Sequence, residues 1–283
     1  MQASPAVQST GQRWGGNAPC ADEARRVTAT QRSLLIVSHP GHELRVFGWV
    51  KRHRPVVVIL TDGSGGRGAS RFPTSLRLLG SLGAEVYQGC PFLRDVDAYE
   101  ALMSGETSRF VGLADHAHGA LRALGATFVA GDAREGYNPM HDVCRAIIDA
   151  VVTRCRAEGV VVANRDFPLM ARPSTASTAR RDDIIAVRLD DDELAEKLAA
   201  AQAYAELEAE VAAQLVEFGP EAFRWEGLRP VEGEASFEDP PFYETFGEQR
   251  VREGQYARVL RYGEHVRPVE QALRVWAQGG TPA

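Results

Sequence analysis

The stretch Ser33-Leu34-Leu35-Ile36-Val37-Ser38-His39-Pro40-Gly41-His42-Glu43 decides how this chain is read. An unbroken apolar run closed by proline and glycine fits a strand buried on both faces. Pro55-Val56-Val57-Val58-Ile59-Leu60 repeats the pattern and ends in Thr61-Asp62-Gly63-Ser64-Gly65-Gly66. Between the two runs, Glu43 to Arg54 has the length and composition of a short helix. Strand, helix and strand in that order open a β-α-β unit.

The alternation continues outward from this unit. Leu76 to Leu82 reads as helix and Ala84 to Tyr87 as strand. Phe110 to Leu124 is helical, and Thr127 to Ala130 is a strand ending at Gly131-Asp132. His141 to Arg156 is an amphipathic helix with Val143, Ile147, Ile148 and Val151 on one side. Gly159 to Ala163 is the next strand, Asp183 to Val187 an edge strand, and Asp191 to Phe218 one long Ala/Glu-rich helix. Strands alternating with helices predict an α/β, Rossmann-like three-layer sandwich with a mostly parallel sheet. Residues 1–31 read as a flexible arm, 32–219 as the α/β domain, and 220–283 as an irregular and helical C-terminal extension packed on it. Gln255 to Trp276 is expected to form one or two helices.

Composition limits the function classes. The chain has 283 residues, a net charge of -6 and 44% hydrophobic residues, enough for a sizeable core. A mildly acidic balance argues against nucleic-acid binding, which needs a basic face. The four cysteines are scattered without a CxxC pair, which fits reduced thiols rather than a disulfide framework. No basic start with an apolar run marks a signal peptide, and no segment has the ~18 apolar residues of a membrane span. A cytoplasmic protein acting on a small molecule is expected, with no membrane or nucleic-acid partner; self-assembly into a homo-oligomer is left open.

The first strand delivers His39 and His42 to a turn, and ligands of open α/β folds gather at the carboxyl ends of strands. Zinc needs about three protein ligands and an open fourth position. The third candidate is His141, in Gly136-Tyr137-Asn138-Pro139-Met140-His141-Asp142, which follows another strand and opens a helix. The other histidines fit structural or surface places: His116 and His118 are two apart on a helix, His53 sits among basic residues, and His265 is distant in sequence. One Zn2+ per chain, on His39, His42 and His141, is the expectation. The Gly63 to Gly68 loop, with Arg67 and Arg71, reads either as an anion-binding element or as a mobile surface loop. It lacks the Gly-Lys-Ser/Thr of a Walker motif.

At these residues the sequence resembles the LmbE/PIG-L family of zinc-dependent N-deacetylases. The family's Ala-His-Pro-Asp-Asp-Glu reads here Ser38-His39-Pro40-Gly41-His42-Glu43. Its His-Pro-Asp-His reads Asn138-Pro139-Met140-His141, and Leu60-Thr61-Asp62-Gly63 followed by Arg71 is similar to its Thr-x-Gly turn and substrate-facing Arg. The resemblance covers about residues 33–210. It implies that His39 and His141 hold the metal and that His42 replaces an aspartate ligand. It also places Gly41 where the family carries its general base, so another carboxylate supplies the base, the metal-bound hydroxide acts without one, or the reaction differs. Asp62 is the preferred substitute, although a turn residue bonding its own backbone explains it equally well. Glu43 and Asp142 are expected to accept the second N–H of the imidazoles. Asn138 or Tyr137 would donate to the oxyanion. In Pro240 to Glu248, Tyr243 and Glu244 are candidates to read a sugar or an amine. The expected activity is hydrolysis of an amide, such as the N-acetyl group of an amino sugar. The alternatives are another zinc chemistry (lyase, transferase or cyclase) and a non-catalytic ligand-binding role.

Overall fold

The computed structural model describes residues 32–65, 68–173, 184–231, 237 and 240–280. The expected arm at 1–31 and Arg67 lie outside the described residues. The sheet is built from β1 (Ser33–Val37), β2 (Val56–Ile59), β3 (Glu85–Val86), β4 (Phe128–Asp132), β5 (Ala163–Phe167), β6 (Ile185–Arg188) and β7 (Trp225–Pro230). Their order across it is β3-β2-β1-β4-β5-β7-β6. The first five pair in parallel, and β7 runs antiparallel to both β5 and β6. This is the α/β three-layer arrangement that the alternating pattern predicted.

Nine α-helices among the described residues cover the sheet: α1 (Phe47–His53), α2 (Phe72–Ser81), α3 (Asp95–Ser104), α4 (Thr107–Leu124), α5 (Pro139–Ala157), α6 (Asp191–Gln202), α7 (Glu208–Phe218), α8 (Phe242–Arg252) and α9 (Arg267–Ala277). β1 is wholly buried because alternate side chains serve two cores. Leu34 and Ile36 pack with α3, α4, α5 and α9, while Leu35 and Val37 pack with α1, α2 and the α6–α7 side.

Three departures from the sequence reading matter for the site. The expected single helix 191–218 breaks after Gln202, and a 3-10 turn at Ala205–Leu207 separates α6 from α7. Tyr204, 1% exposed, is drawn into the core there, and its burial outweighs the helical propensity of the Ala/Glu run. The strand expected at 159–163 lies instead at Ala163–Phe167, with Val161 exposed. Periodicity misplaced it because the strand itself, Ala-Asn-Arg-Asp-Phe, is polar and only half-buried. The C-terminal extension is not merely packed on the body, since its β7 enters the sheet between β5 and β6. β7 carries Glu226, whose carboxylate accepts from the Gly48 and Trp49 N–H groups at 2.9 Å and from Lys197 Nζ at 2.8 Å. A buried ion pair thereby closes the N-terminus of α1 and ties it to α6.

Cys90, Cys144 and Cys155 are free thiols. No helix among the described residues is long and apolar enough to cross a membrane.

Candidate metal centre

The sheet reverses its winding between β1 and β4: from β1 the chain proceeds to β2 on one side, and β4 lies on the other. The two connections diverge at that point and leave a crevice at the carboxyl ends of the strands. His39 and His42 follow β1, Asp132 ends β4, and His141 lies in the first turn of α5. Ring centroids are 5.5 Å apart for His39–His42, 5.4 Å for His39–His141 and 4.6 Å for His42–His141. Three imidazoles on one zinc at Zn–N of about 2.0–2.1 Å would have ring centres about 5 Å apart, a spacing close to that of these rings.

Each of the first two rings is held from behind. Thr61 Oγ1 donates to Ser38 O at 2.9 Å and so accepts from His39 Nδ1 at 2.7 Å; Asp95 Oδ1 lies 3.2 Å from the same nitrogen. Asp132 stands with both oxygens 3.0 Å from His42 Nδ1. It also accepts from the Ser38 N–H at 2.9 Å and the Ser38 hydroxyl at 2.6 Å. A proton held on Nδ1 leaves Nε2 bare, the form that binds a metal. His141 Nδ1 is buried and has no hydrogen-bond partner among the described residues.

Electrostatics favour the same protonation states. Burial lowers the pKa of His42, against the pull of Asp132, and lowers that of His141 further with help from the neighbouring His42. Burial works to raise Asp132, but His42 and Ser38 outweigh it and keep the carboxyl well below its usual range. We read the pair as carboxylate and neutral imidazole. Among the described residues, no group of three or more His, Cys, Asp or Glu side chains stands so that it could hold a metal ion. The rings are therefore gathered rather than finished as a cage.

Asp95 and Asp132 were missed in the sequence, and they correct the expected roles of Glu43 and Asp142. Glu43 Oε2 accepts from the Gly41 N–H at 2.8 Å, and its other oxygen accepts from Ser75 Oγ, so it braces the turn between the histidines. Asp142 Oδ1 accepts from the Glu135 and Gly136 N–H groups at 3.1 Å, and Oδ2 is buried without a partner. Burial pushes its carboxyl up to about 7. Neither bonds an imidazole. The placing of Asp132 beside Gly131 at a strand end was the available signal; nothing local marked Asp95.

Asp62 Oδ1 accepts from the Ser64 N–H (3.0 Å), the Ser64 hydroxyl (2.8 Å) and the Asp95 N–H (2.9 Å). Its Oδ2 has no hydrogen-bond partner among the described residues. Arg71 Nε donates to Gly63 O at 2.6 Å, and its charge is felt at His42 and His141. Asn138 caps α5, its Oδ1 accepting from the Met140 N–H at 2.8 Å and from Tyr99 OH at 3.1 Å. Tyr137 is exposed. Tyr243 is buried, its hydroxyl without a hydrogen-bond partner among the described residues. Glu244 accepts from the Tyr262 N–H at 2.8 Å and Arg261 Nη1 at 3.1 Å, which gives it a bracing role.

Gly41 has φ +104, a region that disfavours side chains, and a Cβ there would lie 2.4 Å from Leu207 Cδ1. Leu207 comes from the 3-10 turn that interrupts 191–218. Its neighbours fasten that turn: Glu206 accepts from Thr74 Oγ1 at 2.9 Å, and Tyr204 OH donates to Arg71 O at 3.2 Å. Gly41→Asp is expected to destabilise the fold by about 2–4 kcal/mol, from backbone strain plus overpacking. A second change, Leu207→Ala, should recover part of the loss. Thermal unfolding of the single and double variants checks this; a Gly41→Asp protein as stable as the parent would refute the crowding.

No family model matches the chain, and no curated protein matches it in sequence. Among solved structures, a triple mutant of a deacetylase from the teicoplanin biosynthetic pathway aligns with a TM-score of 0.51 at 15% identity, over 73% of this chain and 100% of that one. The deacetylase Dbv21, which acts on the A40926 pseudoaglycone, aligns with a TM-score of 0.50 at 17% identity, over 73% of this chain and 99% of that one. The chain thus has the fold of these deacetylases.

Proposed function

We propose that the chain is a metal-dependent hydrolase that cleaves an amide bond, such as an N-acetyl group, in a small molecule. The observation that carries this is the gathering of His39, His42 and His141 at the switch point, two of them held through Nδ1 by buried carboxylates. The deacetylase neighbours share the fold that positions them.

A zinc ion held by the three rings would supply Lewis-acid polarisation of the amide carbonyl and an acidified water. The rest falls to the chain. Asp95, Thr61 and Asp132 orient the imidazoles through Nδ1, while burial favours the neutral form of His42 against the pull of Asp132. Asp62 immediately follows Thr61, and its Oδ2, without a hydrogen-bond partner among the described residues, is the carboxylate oxygen to take a proton where position 41 has no side chain. Arg71 places a positive charge beside the histidines for the polar end of the substrate or the developing negative charge. The Asn138 oxygen is occupied by the helix cap, which leaves its amide N–H group as the possible donor.

The test is metal content and acetate release together. The purified chain, reconstituted with zinc and dialysed, is expected to retain about one ion per chain. It should release acetate from N-acetylated amino sugars in a manner abolished by chelation. Failure to retain metal above the level of a His39→Ala variant would overturn the reading. A second reading has its own support, because Leu207 fills the space beside Gly41. A chain that keeps its metal and releases acetate from no amide tested would be a metal-holding binding protein or an enzyme of another zinc chemistry.

A further inference from the structure

The turn before α5 carries a feature that amide cleavage does not require. Tyr137 and Phe242 stack with ring centroids 5.0 Å apart and planes 3° from parallel. Phe242 in turn stacks on Phe246 at 5.7 Å and 30°. The guanidinium of Arg250 covers Phe246, 4.6 Å from its centroid. Four flat groups thus form a ladder. One end is closed by a cation; at the other, Tyr137 has no further ring or cation partner among the described residues. Tyr137 is 42% exposed and Phe242 49%.

We propose that the open end of this ladder, Tyr137, is the recognition surface for an aromatic ring carried by the substrate, next to the bond to be cut. This deepens the hydrolase reading and rests on the histidine centre as the reacting site. The argument for it is one of position and rigidity. Tyr137 adjoins Asn138, the cap of α5, and His141 lies in that helix's first turn. The ladder's end and the histidines are therefore fixed to the same turn. The platform is also braced from behind. The Tyr243 N–H donates to Gly136 O at 3.4 Å, joining α8 to the turn, and Glu244 ties α8 to Tyr262 and Arg261. A preformed aromatic face loses little freedom on binding.

The geometry also selects the occupant. An added ring can continue a near-parallel stack, gaining the quadrupole-aligned contact that a saturated group of equal size lacks. A protein partner is the poorer fit, because one ring face is far smaller than the ~800 Å² per partner of a stable interface.

The test compares the phenyl, cyclohexyl and methyl glycosides of 2-acetamido-2-deoxy-β-D-glucose, titrated calorimetrically into the zinc-reconstituted full chain. The phenyl glycoside is expected to bind at least about fivefold more tightly than the cyclohexyl one, which matches it in size but cannot stack. Tyr137→Ala should remove that preference and Tyr137→Phe should keep it, each preference being taken as the ratio of phenyl to cyclohexyl affinity within one protein. Equal affinities for phenyl and cyclohexyl, a preference that survives Tyr137→Ala, or no measurable binding of any of the three at millimolar concentration would overturn the proposal. Binding needs no turnover, so the two readings fail separately. Phenyl preference without acetate release would leave the aromatic subsite standing and remove the hydrolase. Acetate release at equal KM from phenyl and cyclohexyl glycosides would do the reverse.

Discussion

Asp132→Ala is expected to cost about 3–5 kcal/mol of folding stability, since each buried donor left unsatisfied costs about 1–3 kcal/mol. The carboxylate is fully buried and accepts from Ser38 N–H, Ser38 Oγ–H and His42 Nδ1–H. Removing it leaves three donors in a region without water to satisfy them. Chemical denaturation measures the loss, and a change below about 1 kcal/mol would mean the network is not as built. Asp132→Asn separates shape from charge. Its amide keeps one acceptor oxygen but presents N–H to a ring nitrogen that needs an acceptor. It should fold, yet bind zinc about 10–100-fold more weakly, the usual consequence of losing a group that orients a ligand. Competitive titration against a zinc-binding dye reads this directly. Unchanged affinity in a folded Asp132→Asn protein would show that the imidazole needs no orienting partner.

His42→Ala and His141→Ala should each abolish stoichiometric metal. A zinc site left with two protein ligands falls below the three that catalytic sites use. Retained metal after dialysis, measured by atomic emission, is expected to drop from about one ion per chain to a small fraction of that. The two variants should differ in stability. His42→Ala strips a partner from Asp132, whereas His141 Nδ1 has no partner to lose. Combining Asp132→Ala with His42→Ala should therefore cost less than the two single losses added together, since the residues share one interaction. Strict additivity would show that they act independently. Metal that survives His42→Ala undiminished would remove that residue from the centre.

Much of the architecture was written locally. β1 and β2 were legible because continuous apolar runs closed by Pro, Gly and Asp have few other uses than a buried parallel strand. The register and the sheet order follow from short right-handed connections, so a β-α-β reading at residues 33–60 already sets the edge on which His39 must emerge. His141 could be placed on that edge because Asn138-Pro139 announces a helix start after a strand. The polar strand Ala163–Phe167 escaped detection because it carries no apolar run, and its Asn164 and Asp166 are engaged by Arg145 and Arg229 from distant elements. α3 passed unread because its core side, Ala98, Ala101 and Leu102, is small and its first turn is acidic.

The sequence alone thus determined the strands β1, β2 and β4, the edge they share and the histidines placed at it, because these rest on local hydrophobic runs and on turn residues. Only the tertiary structure decided which carboxylates hold the rings. Asp95 and Asp132 lie 56 and 90 residues from their imidazoles in the chain, and no local pattern encodes a partner at that range. It alone decided that Leu207 occupies the space beside Gly41, because a helix broken by the burial of Tyr204 carries it there. Hydrogen bonds and close packing join residues by distance in space, and that distance is set when the whole chain has folded.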